Sequence, residues 1–356
     1  MADPAVLNHA LFNVSVEDCS VELVEPDADG RDFDEFSRIM LTELIANEKS
    51  KQYSFTDENE LVVSHVRSIT KNELLENTSS LQSNWLKRTE SIALKLLEVE
   101  IKAQERIAAM DKKIKKGSLL ILHLEHDGLT RFVILKIEVD SFFDEIEARI
   151  RRGLPLNKQR LQKSCLVTLN SSGEVTELLL SDSGRTIREY WWGGFLSSKE
   201  MTTAGLNTKT AYDAVDFLLK KTVKKFSEPD YIYMRNDVNS YFRNNESFIH
   251  TELVERLEAH NIESQDFKDK FPDFIEKLKK LPTNPKAKFD TQFDLDQSVI
   301  KTKLKSNIFL DENLELRIMG DIPNIKEIIR TGTDQDGKFI KIYSDTGYNA
   351  FVRQGN

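Results

Sequence analysis

Two apolar runs split by an Asp-Gly pair constrain this chain more than any other feature. Leu119-Leu120-Ile121-Leu122-His123-Leu124 and Phe132-Val133-Ile134-Leu135-Lys136-Ile137 flank Asp127-Gly128. Short apolar runs bounded by turn residues suit strands, and Asp-Gly supplies the left-handed backbone that a two-residue hairpin turn requires. A second pair, Ser164–Leu169 and Val175–Leu180, brackets Ser171-Ser172-Gly173 in the same manner. The middle of the chain is therefore expected to form an antiparallel sheet of hairpins.

The flanks read differently. Val6 to Val14 and Val21 to Val24 predict a strand, a turn and a strand. Phe33, Phe36, Ile39, Met40 and Leu44 recur at helical spacing from about Asp32. A longer periodic run, Leu81 to Met110, places Trp85, Leu86, Ile92, Leu94, Leu96, Leu97, Val99 and Ile101 on one apolar face. So wide a stripe beside a short hairpin predicts self-association as a homodimer. After Tyr190-Trp191-Trp192-Gly193-Gly194-Phe195, helices are expected over Thr208–Phe226, Pro229–Asn244, Ser247–Ala259 and Ser264–Leu281, closed by Leu281-Pro282-Thr283-Asn284-Pro285. Strands are expected at Asn307–Leu310 and Leu314–Ile318, a short helix from Asp321-Ile322-Pro323-Asn324, and a last hairpin of Lys338–Tyr343 with Tyr348–Val352. The fold class is α+β: a central antiparallel sheet of hairpins with flanking helices, a helical segment and a small C-terminal β-rich part. The segments are 1–117, 118–200, 201–285 and 286–356.

Composition narrows the function. Lys+Arg 50 against Asp+Glu 59 gives a net charge of −9, which excludes a small all-basic nucleic-acid coat. A local basic surface remains compatible with DNA binding on an acidic chain. Cys19 and Cys165 stand far apart, which excludes a disulfide scaffold and a cysteine-rich zinc site. With no signal-peptide pattern and no apolar run long enough to span a bilayer, the expectation is a cytoplasmic protein without membrane contact.

Catalytic signals are weak. HExxH, GxSxG and Walker A sequences are absent. His123 and His126 would project from opposite faces of a strand, so they make a poor metal pair. Asp127, Lys136 and Glu138 could converge as a nuclease-like set, but their order departs from the usual acid-acid-lysine arrangement. Asp334-Gln335-Asp336-Gly337-Lys338 opens like a calcium loop but lacks the distal ligands, so a hairpin turn is the better reading. Trp191-Trp192-Gly193-Gly194-Phe195 reads as core anchors rather than a base-stacking platform. The expectation is no metal, no cofactor and no metal-dependent catalysis.

Basic clusters carry more. Lys112-Lys113-Ile114-Lys115-Lys116 leads into the sheet, and Lys301, Lys303 and Lys305 would share one face of a strand. Lys220, Lys221, Lys224 and Lys225 sit at a helix end. Arg149, Arg151, Arg152, Lys158, Arg160 and Lys163 lie in the connection between the two central hairpins. Arginine forks match phosphate oxygens, and a loop displays them without disturbing the core. DNA contact is therefore expected from Arg149, Arg151, Arg152, Lys158, Arg160 and Lys163, and from Lys220, Lys221 and Lys224.

Three blocks in order resemble the bacterial nucleoid-associated protein family of the NdpA/YejK type. Residues 288–329, KFDTQFDLDQSVIKTKLKSNIFLDENLELRIMGDIPNIKEII, resemble its C-terminal signature, with Phe293-Asp294, Ile308–Ile318 and Ile322-Pro323-Asn324 as the matching elements. Ser118–Glu138 is similar to its central hairpin, and WGGFLSSKEMTTAGLNTKTAYDAVDF, with Gly205-Leu206-Asn207, to its helix–linker–helix segment. The tail after Arg330 is longer than in typical members. The resemblance implies a nucleoid-located protein that binds double-stranded DNA with little sequence preference, in some relatives within mobile-element or anti-phage defence settings. It carries over no active-site residue. The alternative is a DNA-targeting effector or nuclease subunit using Asp127, Lys136 and Glu138.

Overall fold

A computed structural model describes residues 4–25, 30–72, 78–108, 114, 117–144, 148–154 and 161–352. The chain forms two compact units, Met1–Thr203 with Asp290–Phe293, and Ala204–Phe289 with Asp294–Asn356.

The first unit is built on an eight-stranded sheet. Its strands are β1 (Ala5–Ser15), β2 (Ser20–Leu23), β3 (Lys51–Phe55), β4 (Gly117–His126), β5 (Leu129–Glu138), β8 (Leu161–Leu169), β9 (Val175–Asp182) and β10 (Ser198–Glu200). They lie in the order β10-β3-β9-β8-β5-β4-β1-β2, and every neighbouring pair is antiparallel. The β4–β5 turn has Asp127 at φ 54° and Gly128 at φ 73°, the doubly left-handed backbone of a type I′ hairpin. The remaining two strands, β6 (Asp140–Asp144) and β7 (Arg149–Gly153), pair only with each other.

Central strands here read as continuous apolar runs because both sheet faces are covered. Leu119 and Ile121 of β4 face one core; Leu120, Leu122 and Leu124 face the other. The first face carries α2 (Leu61–Asn72), α3 (Thr78–Ile107) and a π-turn at Tyr190–Phe195. Trp191 and Phe195 are fully buried there, as core anchors. Gly194 permits the close approach, since a Cβ would lie 2.9 Å from Val99 Cγ1 on α3. The opposite face is covered by α1 (Arg31–Ala46), through Phe33, Phe36, Met40 and Leu41.

On α3, Trp85, Ile92, Leu96 and Leu97 are buried against the sheet. Leu94 is 50% exposed, because two residues on from Ile92 it turns some 200° around the helix. The stripe that suggested self-association is thus already covered inside the unit.

The second unit begins with α4 (Ala204–Leu218), which runs through a π-turn (Leu219–Val223) into the single turn α5 (Lys224–Phe226). Next comes α6 (Glu228–Asn244), capped by the Ser227 hydroxyl, which accepts from the Asp230 N–H. Then follow β11 (Ser247–Ile249), α7 (His250–Glu258), α8 (Gln265–Lys268) and α9 (Phe271–Lys279), and after them β12 (Gln292–Asp294), whose Gln292 and Phe293 belong to the first unit. The core is aromatic, with Tyr212, Phe242, Phe248 and Phe274 buried. Where one helix was expected over Ser264–Leu281 there are two, broken at Asp269-Lys270 ahead of Pro272.

The hairpin β13 (Ser306–Asp311) with β14 (Leu314–Ile318) forms as expected, followed by α10 (Ile325–Ile328). The last hairpin differs. β16 (Gly337–Ile342) pairs with β15 (Ile329–Asp334), and the Tyr348 stretch is α11 (Asp345–Phe351) instead of a strand. The Ser344 hydroxyl caps that helix by accepting from the Gly347 N–H at 3.0 Å. Asp334 to Lys338 is the turn of the β15–β16 hairpin.

Candidate nucleic-acid interface

The arginine connection is not a plain loop. Arg149, Arg151 and Arg152 lie on β7, opposite Asp144, Phe142 and Ser141 of β6. Arg149 is exposed, beside Ala148 at φ 50°. A hairpin outside the main sheet is a means of presenting guanidinium groups to a phosphate backbone. Lys158 and Arg160 lie outside the described residues, as does the lysine run before Gly117 apart from Ile114.

Lys163 is a correction. It is on β8 with its side chain only 7% exposed, in an ion pair with Asp182 of β9. Burial holds its pKa below the ordinary lysine range, although Asp182 pulls the other way. Its partner across β5 is Lys136, equally buried and paired with Glu100 of α3. Each ammonium is held where its strand register places it inside the protein, and neither reaches solvent as a phosphate contact.

The nuclease-like set does not assemble either. Lys136 is committed to Glu100. Asp127 is in the β4–β5 turn and Glu138 ends β5, so ten residues at about 3.3 Å each place them roughly 30 Å apart. His123 and His126 fall on opposite sheet faces, His123 stacked on Phe132 with ring centroids 4.4 Å apart. Among the described residues no three His, Cys, Asp or Glu side chains gather to hold a metal ion.

The second unit shows a different arrangement. Leu219 and Val223 are buried on the inner side of the π-turn and direct Lys220, Lys221, Lys224 and Lys225 outward. Lys220 pairs with Asp216 at 2.5 Å and Lys224 with Glu228 at 3.2 Å, both one helical turn away. Lys221 and Lys225 are within ion-pair distance of no carboxylate among the described residues. They lie over aromatic rings instead, Lys221 4.7 Å from the Phe217 centroid and Lys225 5.7 Å from that of Phe226. Such contacts place each ammonium over an apolar plane while leaving it exposed to solvent.

Arg235 of α6 brings a distant segment to this edge. Its Nε donates to Asp216 at 2.8 Å, its Nη1 to the Lys305 carbonyl and the Ser306 hydroxyl, and its Nη2 to the Lys303 carbonyl at 2.9 Å. Nη2 also donates to Tyr212 Oη at 3.3 Å, and burial keeps the Tyr212 pKa well above its usual value. Burial raises the Asp216 pKa, yet hydrogen bonds from Lys220 and Arg235 outweigh this and hold the carboxyl below its ordinary range. A groove of about 210 Å³ results, lined by Lys220, Lys224, Asn239, Lys305 and Asn307 with Arg235 beneath. The alternating lysines 301, 303 and 305 are therefore not on a strand. They follow the 3-10 turn Gln297–Ile300, and Lys303 is paired with Asp213. Sequence spacing alone could not join Lys305 to Lys220, 85 positions away.

A family model described as nucleoid-associated protein YejK matches residues 9–341. The chain belongs to that family. No curated protein matches it. The family pattern passes Arg330 and runs through β15 into β16. Membership in the YejK family makes this a nucleoid-associated protein, and both basic sequence clusters, residues 149–152 and 220–225, lie within the matched span. No helix among the described residues is long and apolar enough to cross a membrane.

Proposed function

We propose that the protein binds double-stranded DNA through backbone phosphates, largely without regard to sequence. The observation that carries this is the pair of exposed, carboxylate-free ammonium groups of Lys221 and Lys225 on a chain of net charge −9. Phosphate contacts by flexible lysines release counterions and read no base edge. Arg149, Arg151 and Arg152 of β7 are the second candidate for phosphate contact. Titrating labelled duplexes of two unrelated sequences against salt tests the reading. Both should bind with similar affinity, and log K should fall linearly with log salt. Salt-independent binding, or strong preference for one duplex, would refute it.

The same reading takes the protein as a homodimer. Its contact then lies away from α3, and the second unit exposes Phe309, Leu314, Met319 and Phe351, the last at 87%. Light scattering should give a mass above the 41.0 kDa of one chain.

A further inference from the structure

The sheet of the first unit has unequal coverings, and the thinner one leaves a cavity. Only α1 packs on the second face among the described helices. Seven spacings of about 4.8 Å make an eight-stranded sheet far wider than one helix of about 10 Å. Beside the C-terminal half of α1 is a cavity of about 430 Å³. Leu41 and Leu44 of α1 form one wall, and Leu124, Val133, Leu166 and Leu179 of four successive strands form its floor. Leu166 and Leu179 are only half-buried, as expected of a floor with no helix above it. The size is that of a small-ligand site.

One end of this apolar space is cationic. Arg131 of β5 lines it and is half-buried. Its Nη1 lies 2.6 Å from His126 Nδ1, and since a guanidinium cannot accept, the imidazole nitrogen accepts and the pair brings no negative charge. Arg131 Nε is buried with no hydrogen-bond partner among the described residues. Asp127 approaches the same His126 nitrogen at 3.7 Å, but neither it nor any other described carboxylate is within ion-pair distance of the guanidinium. The contrast with Lys136 and Lys163 is direct, because each of those has its own carboxylate. A half-buried guanidinium without a counter-charge is stabilised by an anion arriving from outside. Lys49 lines the same cavity and adds to the positive potential.

We propose that this cavity binds an aliphatic carboxylate, with its chain among the leucines between α1 and the sheet and its carboxylate on the Arg131 guanidinium. Isothermal titration of the full chain with decanoate, below the concentration at which it forms micelles, tests this. Decanol serves as the uncharged control. Decanoate should bind one per chain, and decanol at least about tenfold more weakly, the difference expected of a charge-assisted hydrogen bond. Arg131→Met should remove that preference. Leu179→Trp, which fills the floor, should abolish binding while its urea midpoint shows the protein folded. Lys221→Glu should leave decanoate binding unchanged, which separates this site from the DNA reading. Equal affinity for decanoate and decanol, unaltered binding in Leu179→Trp, or no decanoate binding would each overturn the proposal.

Discussion

Lysine has opposite fates in the two units. In the first, Lys136 and Lys163 are single charges within apolar strand runs, and the two-residue period places both in the interior. Each then requires a carboxylate from another element, Glu100 from α3 and Asp182 from β9. In the second, Lys220, Lys221, Lys224 and Lys225 come as adjacent pairs on a helical edge whose inward positions are taken by Leu219 and Val223. Counting basic residues treats all six alike. What separates them is the period of the element that carries them, because it turns Lys136 and Lys163 toward the covered face of the sheet and the helical-edge lysines toward solvent.

Breaking the buried pair should have the largest effect. Glu100→Ala leaves the Lys136 ammonium buried and uncompensated, with both side chains 2% exposed in the native pair, and should cost about 3–5 kcal/mol in urea unfolding. A loss near that of an exposed pair would erase the distinction between the units.

The second unit has its own buried ionisable group, which tests whether burial acts there as it does in the first. Burial lowers the His250 pKa to about 4, although a hydrogen bond to the Leu278 carbonyl at 3.1 Å opposes this. The native imidazole stays neutral while the unfolded one takes up a proton below about pH 6.5. Stability should therefore fall as pH drops from 6.5 to 4, by about 3 kcal/mol from this residue. His250→Gln should flatten that part of the urea-midpoint profile, and an unchanged profile would refute the assignment.

The exposed edge is sharpened by charge reversal. Lys221→Glu with Lys225→Glu should weaken DNA binding and reduce the salt slope by about 2, one for each phosphate contact. Far-ultraviolet dichroism should not change, since exposed charges contribute little to folding. Arg149→Glu, Arg151→Glu and Arg152→Glu together should act in the same direction on the first unit's surface. If only the arginine variant loses binding, the lysine edge is not the interface. The smallest effect is expected of Lys220→Ala, which removes an exposed ammonium while Asp216 keeps its bond from Arg235, and should cost under about 1 kcal/mol.

The hairpins were legible because their determinants are local. Asp127-Gly128 dictates a turn, and the runs beside it need only each other to pair. Helix α1 was legible from Phe33, Phe36 and Met40 for the same reason. The C-terminal pairing was misread: Lys338–Tyr343 has two candidate neighbours, and Ser344 capping α11 removes one of them. Leu94 was placed on the wrong face because a broad apolar tally does not resolve 100° steps. In the candidate interface, the helix-end lysines were visible as a cluster. Their division into paired Lys220 and Lys224 and carboxylate-free Lys221 and Lys225 was not.

Sequence alone determined the α+β class, the central hairpins and the family, since each rests on residue order over short spans. Tertiary structure alone decided which charges are available. Asp182 meets Lys163 across two strands, Glu100 meets Lys136 from a helix, and Arg235 draws residues 303–306 to the lysine edge. The physical reason is that a charge's free energy depends on the solvent and counter-charge around it, and both are set by elements distant in the chain.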